Sequence, residues 1–209
     1  DPRKTDTANF ADLHLQLLPG TDVVLYNAIG RCLYKRGLID EDFIKNHTEG
    51  FEDYKDLIFK TSLKQASKIC GVPEKDIQKA ADIIGLSKGF ISMWAMGLNQ
   101  SVVGTDKNVS LLNLSLITGQ IGKPGAGPFS LTGQPNAMGG REVGGLANML
   151  ACHLEIENTG HSSAVRNFWK APVMPEQAGL KAVDMYDAVE DGRIKALWII
   201  HSNPAVTMP

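Results

Sequence analysis

The chain has 209 residues, 43% of them hydrophobic and 21% charged, with a formal net charge of −2, which suffices for one large or two small globular units with a core. Acidic and basic residues are interspersed, so no basic stripe points to nucleic acid and no cationic stretch to a membrane surface. Apolar runs such as Ala196 to Ile200 fall far short of the roughly 20 residues that span a bilayer, and Cys32, Cys70 and Cys152 are too scattered for a disulfide framework or a metal site.

Leu13, Leu15 and Leu17 alternate with His14 and Gln16, the period-two pattern of a strand, and Pro19-Gly20 ends it. Asp22 reads as the cap of a helix that carries Leu25, Ala28, Ile29, Cys32 and Leu33 on one face. From Asp40 to Gly71 the pattern predicts short covering helices, the clearest opened by a Ser62/Gln65 capping box. Pro73 and Glu74 start a helix whose positions Ile77, Ala80, Ala81 and Ile84 share a face, closing between Gly85 and Gly89. A strand over Phe90 to Ala95 and an amphipathic helix containing Leu111, Leu112, Leu114 and Leu116 follow. This βαβα alternation predicts an α/β fold with a parallel sheet.

Between Gly119 and Gly145 the sequence becomes dense in glycine, with Pro124, Pro128 and Pro135 interspersed, and reads as one long loop. Long loops in compact domains commonly build sites, and this one is poor in charge. Beyond it, Ala182 to Val189 suggests a helix, and Ala196 to Ile200 suits a strand buried on both faces. That strand belongs to a second α/β unit starting near residue 146, its sheet completed by sequence outside the chain. With no initiator methionine before Asp1-Pro2-Arg3 and an apolar strand close to Pro209, the chain is expected to be an internal segment of a longer polypeptide.

Three junctions attract attention, because ligands in open α/β sheets bind at the carboxyl ends of strands. They are Pro19-Gly20-Thr21-Asp22, Met96-Gly97-Leu98-Asn99-Gln100 and Ser202-Asn203-Pro204, and each is equally an ordinary turn or helix cap. Neither a G-x-G-x-x-G fingerprint nor a phosphate-binding P-loop is present, which disfavours a simple NAD enzyme or ATPase. In the glycine-rich loop Arg141 is a conspicuous cation, with Gln134 upstream. A guanidinium can hold a small trigonal oxyanion through paired donors; the alternative is a surface arginine paired with Glu142. The five histidines show no metal-ligand spacing, and no catalytic acid, base or nucleophile stands out. The chain reads as a cradle.

The motifs Asp1-Pro2-Arg3-Lys4-Thr5, Ala11-Asp12 and Pro19-Gly20-Thr21-Asp22 resemble those of bis-molybdopterin guanine dinucleotide oxidoreductases. Met96-Gly97-x-Asn99-Gln100, Leu116 to Gly125, Gly127 to Ala137, Met138 to Gly144 and Ser202-Asn203-Pro204-Ala205-Val206 are similar to nitrate reductases of the assimilatory and periplasmic group, so the likeness covers nearly the whole chain.

The resemblance implies a molybdenum enzyme that reduces nitrate to nitrite, with electrons arriving through an iron–sulfur cluster from an electron-donor protein or domain. It implies a Rossmann-like domain at 1–145 and part of a second, discontinuous α/β domain at 146–209. Asp1, Pro2, Arg3, Lys4, Thr5, Gly20, Thr21 and Asp22 would contact the nucleotide part of one pterin cofactor, and Met96, Gly97, Gln100 and Asn203 would line the cofactor cleft. Arg141 would orient nitrate, with Gln134 close by. The cluster cysteines and the molybdenum ligand belong upstream of this segment, so the isolated chain is expected to be inactive and to work with the remaining domains of its parent. The loop from Gln134 to Arg141 is one residue shorter than is typical of the periplasmic branch, which favours the assimilatory, cytoplasmic branch over the periplasm. A formate dehydrogenase shares fold and cofactor and is the nearest rival; a nucleotide-binding module without redox chemistry is the rival from another class.

Overall fold

Residues 1–208 are described in the computed structural model, and they gather into two compact units, one from Asp1 to Gly133 and the other from Gln134 onward. Helix α1 (Asp6–Asn9) is a single turn opened by Thr5, whose hydroxyl accepts from the Ala8 amide at 3.3 Å. The strand expected from Leu13 to Leu17 is not one: the segment belongs to no sheet, and Leu17 alone of its leucines is fully buried. Isolated bonds tie it down in place of a ladder. His14 Nε2 donates to the Asp1 carbonyl at 2.8 Å, Gln16 Nε2 to the Pro2 carbonyl at 3.0 Å, and the Leu18 amide to the Cys70 carbonyl at 2.8 Å.

Helix α2 (Asp22–Lys35) is the axis of the first unit, and Leu25, Ala28, Ile29, Cys32 and Leu33 are all buried, as their spacing predicts. Next come α3 (Glu41–His47), α4 (Phe51–Phe59), α5 (Leu63–Cys70) and α6 (Glu74–Leu86). The capping box that opens α5 is present in both directions between Ser62 and Gln65, and α6 buries Ile77, Ala80, Ala81 and Ile84. Helices α4, α5 and α6 pack on α2, so its apolar stripe becomes the core. Leu33 and Ile77 are wholly shielded from solvent, each contributing about 1.5–3 kcal/mol of transfer free energy.

Gly30 marks the tightest crossing. A Cβ there would overlap the Tyr54 hydroxyl, which is itself buried and without a hydrogen-bond partner among the described residues. Gly30→Ala is therefore expected to destabilise the chain by about 1–3 kcal/mol through overpacking. Tyr54→Phe, which removes a buried hydroxyl that makes no bond, should be neutral or stabilising and should relieve most of the Gly30→Ala defect in the double variant. Urea denaturation of the three variants checks this; a Tyr54→Phe loss as large as that of Gly30→Ala would refute it.

Strand β1 (Ile91–Trp94) leads through the single turn α7 (Met96–Asn99) into α8 (Gly104–Ile117), which packs back on α2, and α3 packs on α8. Strand β2 (Gly127–Ser130) then pairs with β1 in parallel, with Ile91 opposite Gly127 and Trp94 opposite Ser130. It lies inside the stretch expected to be one long loop. The ladder tolerates Pro128 because the pairing amides are those of Gly127, which donates to the Phe90 carbonyl at 2.8 Å, and Leu131, which donates to the Trp94 carbonyl at 2.7 Å; proline falls between them, where no donor is needed. The fold is mixed α/β, about half of it helical, with a small parallel sheet.

The second unit holds α9 (Ala137–Glu142), a 3₁₀ turn at Ala151–His153, α10 (Thr159–Trp169), α11 (Ala182–Glu190) and α12 (Pro204–Thr207). Asn158 caps α10, its Oδ1 accepting from the Gly160 and His161 amides, and Leu150, Ile156 and Val165 make a small core. The helix expected at Ala182 is present. The buried strand expected at Ala196 to Ile200 is not: the run is irregular and Trp198 is 87% exposed. A strand apolar on both faces needs paired neighbours and a layer on either side, and among the described residues this unit contains no strand to pair with it. No helix among the described residues is long and apolar enough to cross a membrane.

Candidate functional site

A cleft of about 540 Å³ opens at the carboxyl end of β1 in the first unit, within the size range of small-molecule sites. It gathers residues far apart in sequence: Asp1, Pro2, Gly20, Asp22 and Gly97 all line it. The bonds from His14 and Gln16 to the carbonyls of residues 1 and 2 seat the opening segment against its rim. Gly20 has φ +83°, a left-handed turn that favours glycine and delivers the chain into the first turn of α2.

Asp22 sits in that first turn, but the expected cap is not its role. Thr21 holds the cap position without a side-chain bond, and the Asp22 carboxylate is turned instead to Lys107 of α8, Oδ2 to Nζ 2.9 Å. Only 8% of the Lys107 side chain and 16% of that of Asp22 are exposed. The helix N-terminus adds to the attraction for the carboxylate. One turn further along α2, Tyr26 also faces the cleft. Burial first, and the Asp22 charge second, push its phenol up to about 12, so at neutral pH it remains a hydrogen-bond donor. Trp94 supplies an aromatic wall. Its Nε1 donates to Asn99 Oδ1 at 3.0 Å, and Asn99 Nδ2 donates to Ser130 Oγ at 3.4 Å, which fixes the indole across both strand ends.

The remaining expected residues fall outside this cleft. Thr5 caps α1, and the Thr21 hydroxyl donates to the Leu18 carbonyl at 2.6 Å. Arg3 and Lys4 are exposed, while Met96 opens α7 and Gln100 follows its end, neither lining the cleft. Gln134, Arg141 and Asn203 belong to the second unit. Arg141 lies exposed in the last turn of α9, and among the described residues no ion pair joins it to Glu142. Gln134 is exposed just before α9, and Asn203 precedes α12 with no side-chain capping bond.

The family model of molybdopterin oxidoreductases matches residues 1–209. The chain belongs to that family. A nitrate reductase of Synechocystis sp. is 47% identical over 212 residues, covering 100% of this chain and 30% of its own length. The F420-dependent formate dehydrogenase subunit alpha of Methanocaldococcus jannaschii is 41% identical over 210 residues, again 100% of this chain and 30% of its own length. Among solved structures, acetylene hydratase from Pelobacter acetylenicus superposes with a TM-score of 0.56 at 28% identity, over 59% of this chain and 17% of its own. This molybdopterin oxidoreductase chain thus spans about 30% of the length of these two curated relatives.

Sequence reasoning missed Tyr26, Trp94 and above all Lys107. The signal for Lys107 was present: it lies four residues before Leu111 and seven before Leu114, on the stripe of α8 that is buried. A cation on the apolar stripe of a helix calls for a buried counter-charge, and Asp22 provides it.

Proposed function

We propose that the chain is part of a nitrate reductase that reduces nitrate to nitrite by two-electron oxygen-atom transfer at a bis-molybdopterin guanine dinucleotide centre. The observation that carries the cofactor half of this reading is the convergence of Asp1, Pro2, Gly20, Asp22 and Gly97 on one cleft. Its residues suit a nucleotide: a carboxylate and an ammonium in a shielded wall, a phenol donor, an indole on which a base can stack, and glycines that admit backbone approach. Molybdenum held through such a cofactor supplies the two-electron centre.

The chain's own part is to bind and orient. Asp22, as acceptor, and Tyr26, as donor, would hold the nucleotide, while Arg3, Lys4, Thr5 and Thr21 would border the segments that enclose it. Met96 and Gln100 of the first unit would each contact the cofactor, and Asn203 of the second unit would supply a contact of its own. Arg141 draws nitrate in and orients it with paired N–H donors, and the Gln134 amide completes the anion's contacts. Among the described residues no Arg141–Glu142 pair forms, which supports this reading over that of a surface ion pair. In this proposal residues 1–145 are the Rossmann-like dinucleotide-binding domain and 146–209 part of the second. An iron–sulfur cluster and the molybdenum ligand come from the rest of the polypeptide, an electron-donor protein feeds it, and the shorter Gln134 to Arg141 loop favours a cytoplasmic, assimilatory enzyme.

Formate oxidation is the second reading, favoured by the identity to the formate dehydrogenase subunit. The full-length, molybdenum-loaded parent separates the two. Nitrate-dependent oxidation of reduced viologen is expected, with no formate-dependent reduction of oxidised viologen. Formate turnover without nitrate turnover would overturn the substrate assignment and leave the cleft's role standing.

A further inference from the structure

A second cavity, of about 290 Å³, lies at the far end of α2 from the cleft, walled by the last turns of that helix, the start of α5 and a face of α6. It shares no residue with the cleft, and the 14 residues of α2 set the two about 20 Å apart. Arg31, Lys35 and Arg36 all line it, and no acidic side chain does. Arg36 is paired with Asp82 of α6, whereas among the described residues neither Arg31 nor Lys35 meets a carboxylate. Two cations are thus left unbalanced around one concavity.

Their spacing and setting narrow the ligand. Arg31 and Lys35 stand one turn apart on the same face of α2, about 6 Å along its axis. Arg31 is already held in place: its Nη1 donates to the Phe59 carbonyl at 3.3 Å, and the guanidinium lies 4.4 Å from the centroid of the Phe59 ring. Little ordering of that side chain remains for a ligand to impose, and the N–H groups on Nε and Nη2 are still available. Between the charges, Cys32 and Leu63 supply apolar wall. Burial pushes the Cys32 thiol up against the pull of the three cations, so it stays neutral and provides no counter-charge. A compact anion such as phosphate concentrates its charge at one centre and leaves the apolar wall uncovered. Two carboxylates joined by a short aliphatic chain match both the paired charges and the wall between them. We infer that this cavity is a binding site for a small dicarboxylate, with one carboxylate on Arg31, the other on Lys35 and the chain between them against Leu63. The inference is independent of the reading of the cleft.

Calorimetric titration of the full-length parent with succinate, butyrate and inorganic phosphate tests it, at low ionic strength where screening is weakest. Succinate is expected to bind at least about tenfold more tightly than butyrate, which has the same carbon chain and one carboxylate, because the second carboxylate adds charge-assisted hydrogen bonds. It should also bind more tightly than phosphate. Lys35→Met removes the charge of an exposed side chain and should bring succinate to within about threefold of butyrate, with the fold checked by thermal melting. In the wild-type protein, succinate and not butyrate should slow modification of Lys35 by an amine-reactive reagent, read by peptide mass spectrometry, so the site is located even if the variant does not fold. Equal binding of succinate and butyrate, or tighter binding of phosphate, overturns the dicarboxylate assignment. Undiminished succinate binding in folded Lys35→Met, or an unprotected Lys35, places the ligand elsewhere and overturns the site. A parent that binds no succinate overturns it as well and leaves Arg31, Lys35 and Arg36 as a solvated rim.

Discussion

On the nitrate reductase reading proposed above, Arg141→Ala in the full-length, molybdenum-loaded parent should lower kcat/KM for nitrate, measured by oxidation of reduced viologen, by about a hundredfold. The estimate is that of removing one preorganised donor set from a developing anion. Arg141→Lys should recover little of the loss, because an ammonium is a point charge and cannot present the two parallel N–H groups that match a planar oxyanion. Stability should barely move. Arg141 is exposed and makes no ion pair among the described residues, and surface substitutions of that kind lie within about 0.5 kcal/mol. Wild-type turnover in the alanine variant would return Arg141 to an ordinary surface residue and remove the strongest reason for placing nitrate beside α9.

The helical frame was legible because its signals are local. The faces of α2 and α6 follow from 3.6-residue periodicity, and the capping box of α5 needs only Ser62 and Gln65. Strand pairing is a property of two segments, and there the reading failed in both directions. Period-two leucines at Leu13 to Leu17 report alternating faces of an extended chain, yet among the described residues no neighbour pairs with it. Apolar Ala196 to Ile200 likewise has no strand beside it among the described residues. Conversely, β2 was hidden in glycine and proline, since nothing in Gly127-Pro128-Phe129-Ser130 announces that its amides face β1. For the site, the glycine turns and Asp22 were visible as motifs, whereas Lys107 was visible only as an anomaly in an apolar stripe whose meaning depends on a residue 85 positions away, the interval from Asp22 to Lys107.

Asp22→Ala should therefore cost far more than the loss of a helix cap. Removing the carboxylate leaves the Lys107 ammonium shielded from water, its side chain 8% exposed, with no counter-charge. Breaking a buried pair in this way typically costs about 3–5 kcal/mol, against about 1 kcal/mol for a lost cap. The reverse change should be milder: in Lys107→Met the carboxylate that remains is twice as exposed at 16% and keeps the favourable field of the α2 N-terminus. Combining the two should recover much of the Asp22→Ala loss, because a methionine in the apolar stripe of α8 packs against Leu111 without needing a partner charge. Urea denaturation of the two single variants and the double closes a mutant cycle that isolates the pair. Additive effects, or an Asp22→Ala loss no larger than a cap's, would mean that water reaches Lys107 and that the pair neither anchors α2 to α8 nor shapes the cleft.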